Sequence, residues 1–188
     1  KLLSPDVPHK TDAGMVRLNV GPAELRAAVK ALMQDVRAKL PRAKIDGVLV
    51  QRMERGLAEV IIGYRRDPEV GPTILLGLGG IMAELKRSFS VRLAPASLES
   101  AQEMIGKVAE LAILRGYRNL PRGDTAALAH AIRALSLLAC IADTGIAEAE
   151  INPLIVRAEG HGVVAVDGLV VRQQPAGHNV GATASQPT

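Results

Sequence analysis

The chain has 188 residues, enough for one sizeable domain or for a large part of a bigger one. Apolar residues make up 48% of the sequence but aromatic residues only 2%, so the core must be aliphatic and platforms for stacking single-stranded nucleic acid are missing. The net charge is +4 with the charges scattered, which argues against a dedicated nucleic-acid or membrane-binding patch.

The single cysteine, Cys140, excludes an internal disulfide and is expected to be a buried thiol in a reducing compartment. No apolar run approaches the ~20 residues that a membrane helix needs, and no signal peptide is visible. We therefore expect a cytoplasmic location. The first residues, Lys1-Leu2-Leu3, resemble the end of a strand whose beginning is missing. This pattern predicts a fragment that lacks its N-terminal part.

The first half of the chain is predicted to contain short strands around one amphipathic helix. A polar loop runs from Val7 to Met15. Apolar residues recur at helical spacing after Gly21-Pro22, and Pro41 ends this helix. The predicted strands are Lys1–Leu3, Val16–Val20, Gly47–Gln51, Ala58–Tyr64, Thr73–Leu78 and Ser88–Leu93.

Two helices and a β-hairpin are predicted in the second half. Ser97 caps a helix running to about Leu114, and Asp124 or Thr125 caps the next. That second helix carries the core stripe Leu128, Ile132, Leu135, Leu138 and Ala142, and Gly145 suits its end. The hairpin strands are Ala147–Arg157 and Gly162–Arg172. The order of elements favours an α+β fold with a mainly antiparallel sheet over 1–172 and a disordered tail over 173–188.

The segment Glu150-Ile151-Asn152-Pro153-Leu154 is the most informative for chemistry. Positions two apart in a strand share a face, so Glu150 and Asn152 project together, and the hairpin returns Asp167 beside them. Two carboxylates and an amide oxygen are hard ligands suited to Mg²⁺ shared with phosphates. The alternative is a solvent-facing polar side of the hairpin, because the sequence does not fix the hairpin register.

Several motifs in order resemble the ATP-grasp domains of NDP-forming acyl-CoA synthetases, in the succinyl-CoA synthetase superfamily. The similarity covers residues 1 to about 171. The resemblance implies an ATP-grasp fold with its N-terminal part truncated. The motifs are Glu150–Leu154 followed by Asp167-Gly168, Ser4–Asp12, Asp67–Pro72, Gly77–Ile81 with Glu84, Arg92–Pro95, Gly116–Arg118 and Asp124.

The resemblance implies roles for individual residues. Glu150, Asn152 and Asp167 would bind the Mg²⁺ that bridges the phosphates of ATP or ADP. His9 matches the histidine that accepts a phosphoryl group and passes it to the nucleotide. The residues implied to contact the nucleotide are Lys1 at its phosphates, Gln51 and Met53 at the adenine hinge, and Glu59, the acid that follows the hinge.

The function implied is an ADP-forming acid–CoA ligase, in which acyl-CoA, phosphate and ADP interconvert with carboxylate, CoA and ATP. The CoA-binding and ligase domains would lie upstream in the same chain or on another subunit, and an oligomer is expected. The isolated fragment should not complete the reaction. The alternative is a non-catalytic, acyl-sensing module of an acetyltransferase-type assembly; a third possibility is a ligase for succinate or a related acid.

Overall fold

A computed structural model describes residues 1–7, 13–79, 88–116, 121–141 and 145–172. The chain divides into two units, Lys1–Glu54 and Arg55–Thr188, and each unit has its own apolar core. No helix within the described ranges is long and apolar enough to cross a membrane. The tail predicted to be disordered, 173–188, lies outside the described residues.

A two-stranded sheet and one helix form the first unit. Strand β1 (Leu2–Leu3) pairs antiparallel with β2 (Gly47–Val48), which is shorter than the predicted strand Gly47–Gln51. Helix α1 spans Leu25–Lys39 and turns one apolar face inward, as its helical spacing predicts. The buried side chains of this core are Leu2, Val7, Met15, Leu32 and Val36.

The strand predicted at Val16–Val20 is wrong, because this segment has no regular secondary structure. Asn19 has a φ of 56°, in the left-handed region, which interrupts an extended run. The Arg17 side chain donates a hydrogen bond to the carbonyl oxygen of Gly14 at 2.8 Å. It also forms an ion pair with Asp35 on α1, so the segment is held by side-chain contacts rather than by a strand ladder.

An antiparallel sheet is the centre of the second unit. Its strands are β3 (Ala58–Asp67), β4 (Gly71–Leu78), β5 (Phe89–Leu93), β6 (Ile146–Val156), β7 (Val163–Ala165) and β8 (Gly168–Arg172). The order across the sheet is β5-β4-β3-β6-β7, and β8 also pairs with β6. The predicted α+β class and the mainly antiparallel sheet are confirmed, with β3 and β4 longer than predicted.

The two faces of this sheet differ. Val60, Ile62 and Tyr64 on β3 are buried in the core, together with side chains of the helices. Because alternate residues of a strand point to opposite faces, Ile61 and Gly63 lie on the other side. That side, called the open face below, carries exposed apolar side chains. They are Phe89, Val91 and Leu93 on β5 and Leu169 and Val171 on β8.

The turn between β3 and β4 is fixed by an aspartate. The carboxylate of Asp67 accepts hydrogen bonds from the backbone N–H groups of Glu69 at 2.9 Å and Val70 at 3.1 Å. These bonds, that of Val70 first, hold the pKa of Asp67 below its ordinary value because they favour the ionised form. Gly71 completes the turn with a φ of 85°, a conformation that favours glycine.

The helix predicted from Ser97 to about Leu114 is two segments. Helix α2 spans Leu98–Lys107, and a 3₁₀ helix follows at Ala109–Arg115. Between them Val108 is buried with an extended backbone, which ends the α-helix. The predicted cap is confirmed, since the Ser97 hydroxyl accepts a hydrogen bond from the Ser100 N–H at 3.1 Å.

Helix α3 spans Thr125–Ser136 and continues as a short 3₁₀ helix at Leu137–Cys140. Its apolar stripe packs into the sheet core, as predicted, through Leu128, Ile132, Leu135 and Leu138. The fifth predicted member, Ala142, lies outside the described residues.

Two predictions at the end of this helical region are wrong. Cys140 is exposed rather than buried, because it ends the 3₁₀ helix, where side chains no longer follow the α-helical stripe. Gly145 was predicted to end the helix, but the described helical segment ends at Cys140. Gly145 instead has a φ of 60° directly before β6, so it starts the hairpin.

Candidate functional site

The hairpin formed by β6, β7 and β8 carries the candidate site. Its turn is closed by hydrogen bonds from His161 N–H to the Ala158 carbonyl at 2.9 Å and from Arg157 N–H to the Gly162 carbonyl at 3.2 Å. Gly160 has a φ of 78° in this turn. The predicted hairpin is confirmed, and its tight turn sets the pairing of the two sides.

The pairing register of the hairpin, which the sequence does not fix, is set by backbone hydrogen bonds. Asn152 lies opposite Asp167, because the Asn152 N–H donates to the Asp167 carbonyl oxygen at 3.0 Å. Glu150 pairs with Leu169, two positions along the same ladder. Residues directly opposite, and residues two apart on one strand, share a face of an antiparallel ladder. The backbone register therefore places Glu150, Asn152 and Asp167 within two positions of one another along one ladder.

A β-bulge in β6 lies at this point. On the side of β3, Val60 pairs with Leu154 but Ile62 pairs with Ile151, so Asn152 and the following proline both face Ile61. A bulge adds one residue to one strand and redirects its side chains. Bulges are frequent next to active sites for that reason.

A cavity of about 290 Å³ lies on the open face beside this cluster. Its floor and walls include Gly63 and the apolar side chains of Ile61 and Leu75. Glu150 lines one side of it, and the ion pair between Arg65 Nε and Glu148 Oε1, 3.5 Å apart, lines another. All of these residues belong to the second unit. The cavity thus combines apolar walls with charged groups of both signs, as ligand sites do.

The donor set fits a hard divalent cation. It offers two carboxylates and one amide oxygen, the ligand types that Mg²⁺ prefers while it keeps waters or substrate phosphates in its other positions. Among the described residues no three His, Cys, Asp or Glu side chains could hold a metal by themselves. The set in β6 and the segment before β8 has only two acids, so phosphate or water oxygens would have to complete the coordination.

Of the other predicted site residues, Glu59 belongs to the second unit and three belong to the first. Glu59 is exposed at the start of β3, where it pairs with Ile155. Lys1 is half-buried, and Gln51 and Met53 are exposed, all in the first unit. His9 falls in 8–12, outside the described residues.

Comparison with known proteins decides the family. A family model described as an ATP-grasp domain matches residues 1–171. The chain belongs to the ATP-grasp family. The resemblance that the sequence motifs indicated is thereby confirmed, and the ATP-grasp fold with it.

Relatives of this ATP-grasp domain are acid–CoA ligases. ADP-forming acetate–CoA ligase I of Archaeoglobus fulgidus is 40% identical over 164 residues, which cover 87% of this chain and 24% of that protein. The beta subunit of ADP-forming acetate–CoA ligase II of Pyrococcus furiosus is 35% identical over 172 residues, 91% of this chain and 73% of the subunit. The chain thus spans about a quarter of the first relative and about three quarters of the second.

A solved structure resembles this ATP-grasp domain closely. The dinucleotide-forming acetyl-CoA synthetase 1 of Ca. Korarchaeum cryptofilum, in complex with CoA and Ca-AMPCP, has a TM-score of 0.83 and 36% identity, and the match covers 92% of this chain and 75% of that one. A second structure of that synthetase, with CoA and Mg-AMPPCP, has a TM-score of 0.75 and 33% identity over the same shares. In it a phosphohistidine segment points towards the nucleotide binding site.

Asp124 of the ATP-grasp domain does more than the helix capping that its sequence position predicts. One carboxylate oxygen accepts from the Ala127 N–H on α3 at 3.0 Å, and the other from the Gly162 N–H in the hairpin turn at 2.9 Å. The Ala127 bond, followed by that of Gly162, lowers the pKa of Asp124 because both favour the ionised carboxylate. Asp124 thereby ties α3 to the hairpin that carries the site.

We expect Asp124→Ala to lower the free energy of unfolding by about 1–3 kcal/mol, since it removes a helix cap and leaves a second, partly buried N–H group without its acceptor. The folded pKa is depressed below its ordinary 3.8, so this contribution is present above that value and is lost as pH falls through the folded pKa. Urea unfolding at about pH 7 and about pH 2.5 measures it. The difference in free energy of unfolding between variant and wild type should shrink at the lower pH. An equal difference at both pH values would contradict a stabilising role for the ionised Asp124 carboxylate.

Proposed function

We propose that this ATP-grasp domain is the nucleotide-binding module of an ADP-forming acid–CoA ligase. The reaction would interconvert acyl-CoA, phosphate and ADP with a carboxylate, CoA and ATP. The observation that carries the proposal is the pairing of Asn152 with Asp167, two positions along the same ladder from Glu150, which lines the cavity on the open face. The named ligases at 40% and 35% identity support it.

The remaining steps belong to other domains. The match covers 24% of the single-chain ligase and 73% of the beta subunit, so those relatives contain further chain. CoA-binding and ligase domains would stand upstream in the same polypeptide or on another subunit of a cytoplasmic oligomer. The acid substrate would be selected there rather than by this chain.

Glu150, Asn152 and Asp167 would hold Mg²⁺. When bound, this ion would neutralise part of the charge on the nucleotide phosphates, where catalysis is mostly placement and electrostatics. The protein's own contribution would be the hairpin register and the bulge, which would set the spacing of the three oxygen donors.

His9 would relay the phosphoryl group. One imidazole nitrogen attacks the phosphorus of a phosphorylated partner group, so that a P–N bond forms as the bond to the donor breaks. A terminal phosphate oxygen of ADP then attacks the same phosphorus, the P–N bond breaks, and ATP leaves with the imidazole restored. The phosphohistidine segment of the Korarchaeum synthetase, which points towards its nucleotide site, supports a relay of this kind.

Four further residues would contact the nucleotide. Lys1 would pair with its phosphates, and Gln51 and Met53 would contact the adenine ring. Glu59 would follow this hinge at the start of β3. These roles rest on the family pattern.

Binding of ADP by the intact protein, measured by calorimetry with Mg²⁺ and again after chelation with EDTA, tests the proposal. We expect removal of Mg²⁺ to weaken ADP binding by about 10-fold or more. Without the cation, the negative charges of the proposed carboxylate ligands would repel those of the ADP phosphates. Acyl-CoA-dependent ATP formation is measured in parallel. Binding without turnover would favour the regulatory module, and absence of Mg²⁺-dependent binding would refute the proposal.

A further inference from the structure

Gly63 occupies a position that the fold does not require to be glycine. It lies in the interior of β3, and its φ is outside the left-handed region. A Cβ built on its backbone meets no described atom within 4 Å. Glycine in a strand interior weakens the strand, since it adds unfolded-state entropy and contributes no packing. A reason beyond folding is therefore needed for its presence.

Neighbouring glycines of the same sheet have packing reasons. A Cβ at Gly79 would lie 2.8 Å from the backbone carbonyl carbon of Val60. A Cβ at Gly77 would lie 3.2 Å from Cγ2 of Ile61. Both distances are too short for an unstrained contact, so these glycines allow close approach of protein atoms. Gly63 differs, because no described atom outside its chain neighbours lies within 4 Å of a Cβ built there.

That space adjoins Glu150, one of the candidate metal ligands. Gly63 pairs with Glu150 on one side and Leu75 on the other, and directly opposite Cα atoms in such ladders are about 4.5–5.5 Å apart. Asn152 and Asp167 follow two positions along β6 and its partner. Gly63 is part of the floor of the cavity of about 290 Å³.

The surroundings favour one kind of occupant. Glu150 lines the cavity, with Asn152 and Asp167 two positions further along the ladder, and the guanidinium of Arg65, which pairs with Glu148, lies two residues from Gly63. The rest of the cavity wall is mainly apolar and includes the side chains of Ile61 and Leu75. A phosphoryl group in transfer needs both features, because its charge must be balanced and water must be kept from its phosphorus.

We propose that Gly63 leaves room for the transferred phosphoryl group against the backbone of β3. This inference rests on the proposed function and adds a residue to it. The phosphoryl group has two sources, the terminal phosphate of the nucleotide and a phosphorylated imidazole. Both present the same tetrahedral anion beside Glu150, and a side chain at 63 would occupy its place.

The test uses Gly63→Ala and Gly63→Val in the intact protein. We expect Gly63→Val to lower ATP formation about 10- to 100-fold, since displacement of reacting groups by about 1 Å has effects of that size. Gly63→Ala should have a smaller effect. The Tm should stay equal or rise, because valine suits a strand and the site has room. The control is Ala165→Val, an exposed strand position outside the cavity, which should leave turnover unchanged.

Calorimetry with Mg²⁺ and ADP separates the two sources. A loss of ADP affinity in Gly63→Val assigns the space to the nucleotide phosphate, and retained affinity with slow transfer assigns it to the phosphorylated imidazole. Full turnover in Gly63→Val would overturn the inference, as would a fall in Tm that accompanies the loss of turnover. Failure of the proposed function is distinct, since the wild-type protein itself would then lack Mg²⁺-dependent ADP binding.

Discussion

Replacing Glu150 with alanine should weaken binding of ADP in the presence of Mg²⁺ by about 100-fold and lower ATP formation at least as much. Loss of groups that merely orient metal ligands costs about 10- to 100-fold in affinity or activity, and Glu150 is proposed as a ligand itself. Its removal leaves Asp167 as the only carboxylate of the set. Calorimetry and coupled turnover assays on the intact protein measure both effects.

The stability of the same variant separates a ligand from a structural residue. Without Mg²⁺, Glu150 and Asp167 would carry like charges within two positions of one ladder, so Glu150→Ala should leave the free energy of unfolding unchanged or raise it. Glu159→Gln, an exposed change in the turn of the same hairpin, is the matched control for ADP affinity. Wild-type affinity in Glu150→Ala, or a variant that fails to fold, would contradict the metal site.

Replacing His9 with alanine should reduce ligase turnover by at least about 1,000-fold while the affinity for ADP with Mg²⁺ stays within about 2-fold of wild type. A residue that forms a covalent intermediate contributes to the chemical step rather than to ground-state binding. A steady-state assay of ATP formation gives the first quantity, and calorimetry gives the second.

Phosphorylation of the protein gives an independent measurement for His9. Incubation with labelled ATP and Mg²⁺ should place an acid-labile, base-stable label on the wild-type chain, and His9→Ala should lose the label on this chain. His130→Gln, an exposed change on α3, is the control and should keep both label and turnover. Full turnover in His9→Ala would exclude the relay.

The hairpin could be predicted from sequence because two local signals agree. Its first strand alternates in polarity over Ala147–Ile151, and Gly160 and Gly162 mark the turn that follows. A short turn leaves few possible registers for the two strands, and the structure selects the one that pairs Asn152 with Asp167. The family motifs then gave the roles, which no periodicity in the strands could supply.

Other features depended on tertiary contacts that no local pattern encodes. The segment Val16–Val20 looks like a strand, but Arg17 is held by contacts with Gly14 and Asp35. The helix after Ser97 ends at Val108 because the core takes up that valine in an extended conformation. The second bond of Asp124, to the Gly162 N–H, joins residues far apart in sequence and was invisible for that reason.

The bulge opposite Ile61 has a consequence for how this chain tolerates insertions and deletions. Before it, the odd-numbered Ala149 faces the core; beyond it, the even-numbered Leu154 and Val156 do. The two halves of β6 are thus out of phase by one residue. Point substitutions in β6 would leave that offset intact, whereas loss of a single residue there would cancel it and swap which side chains meet the helices.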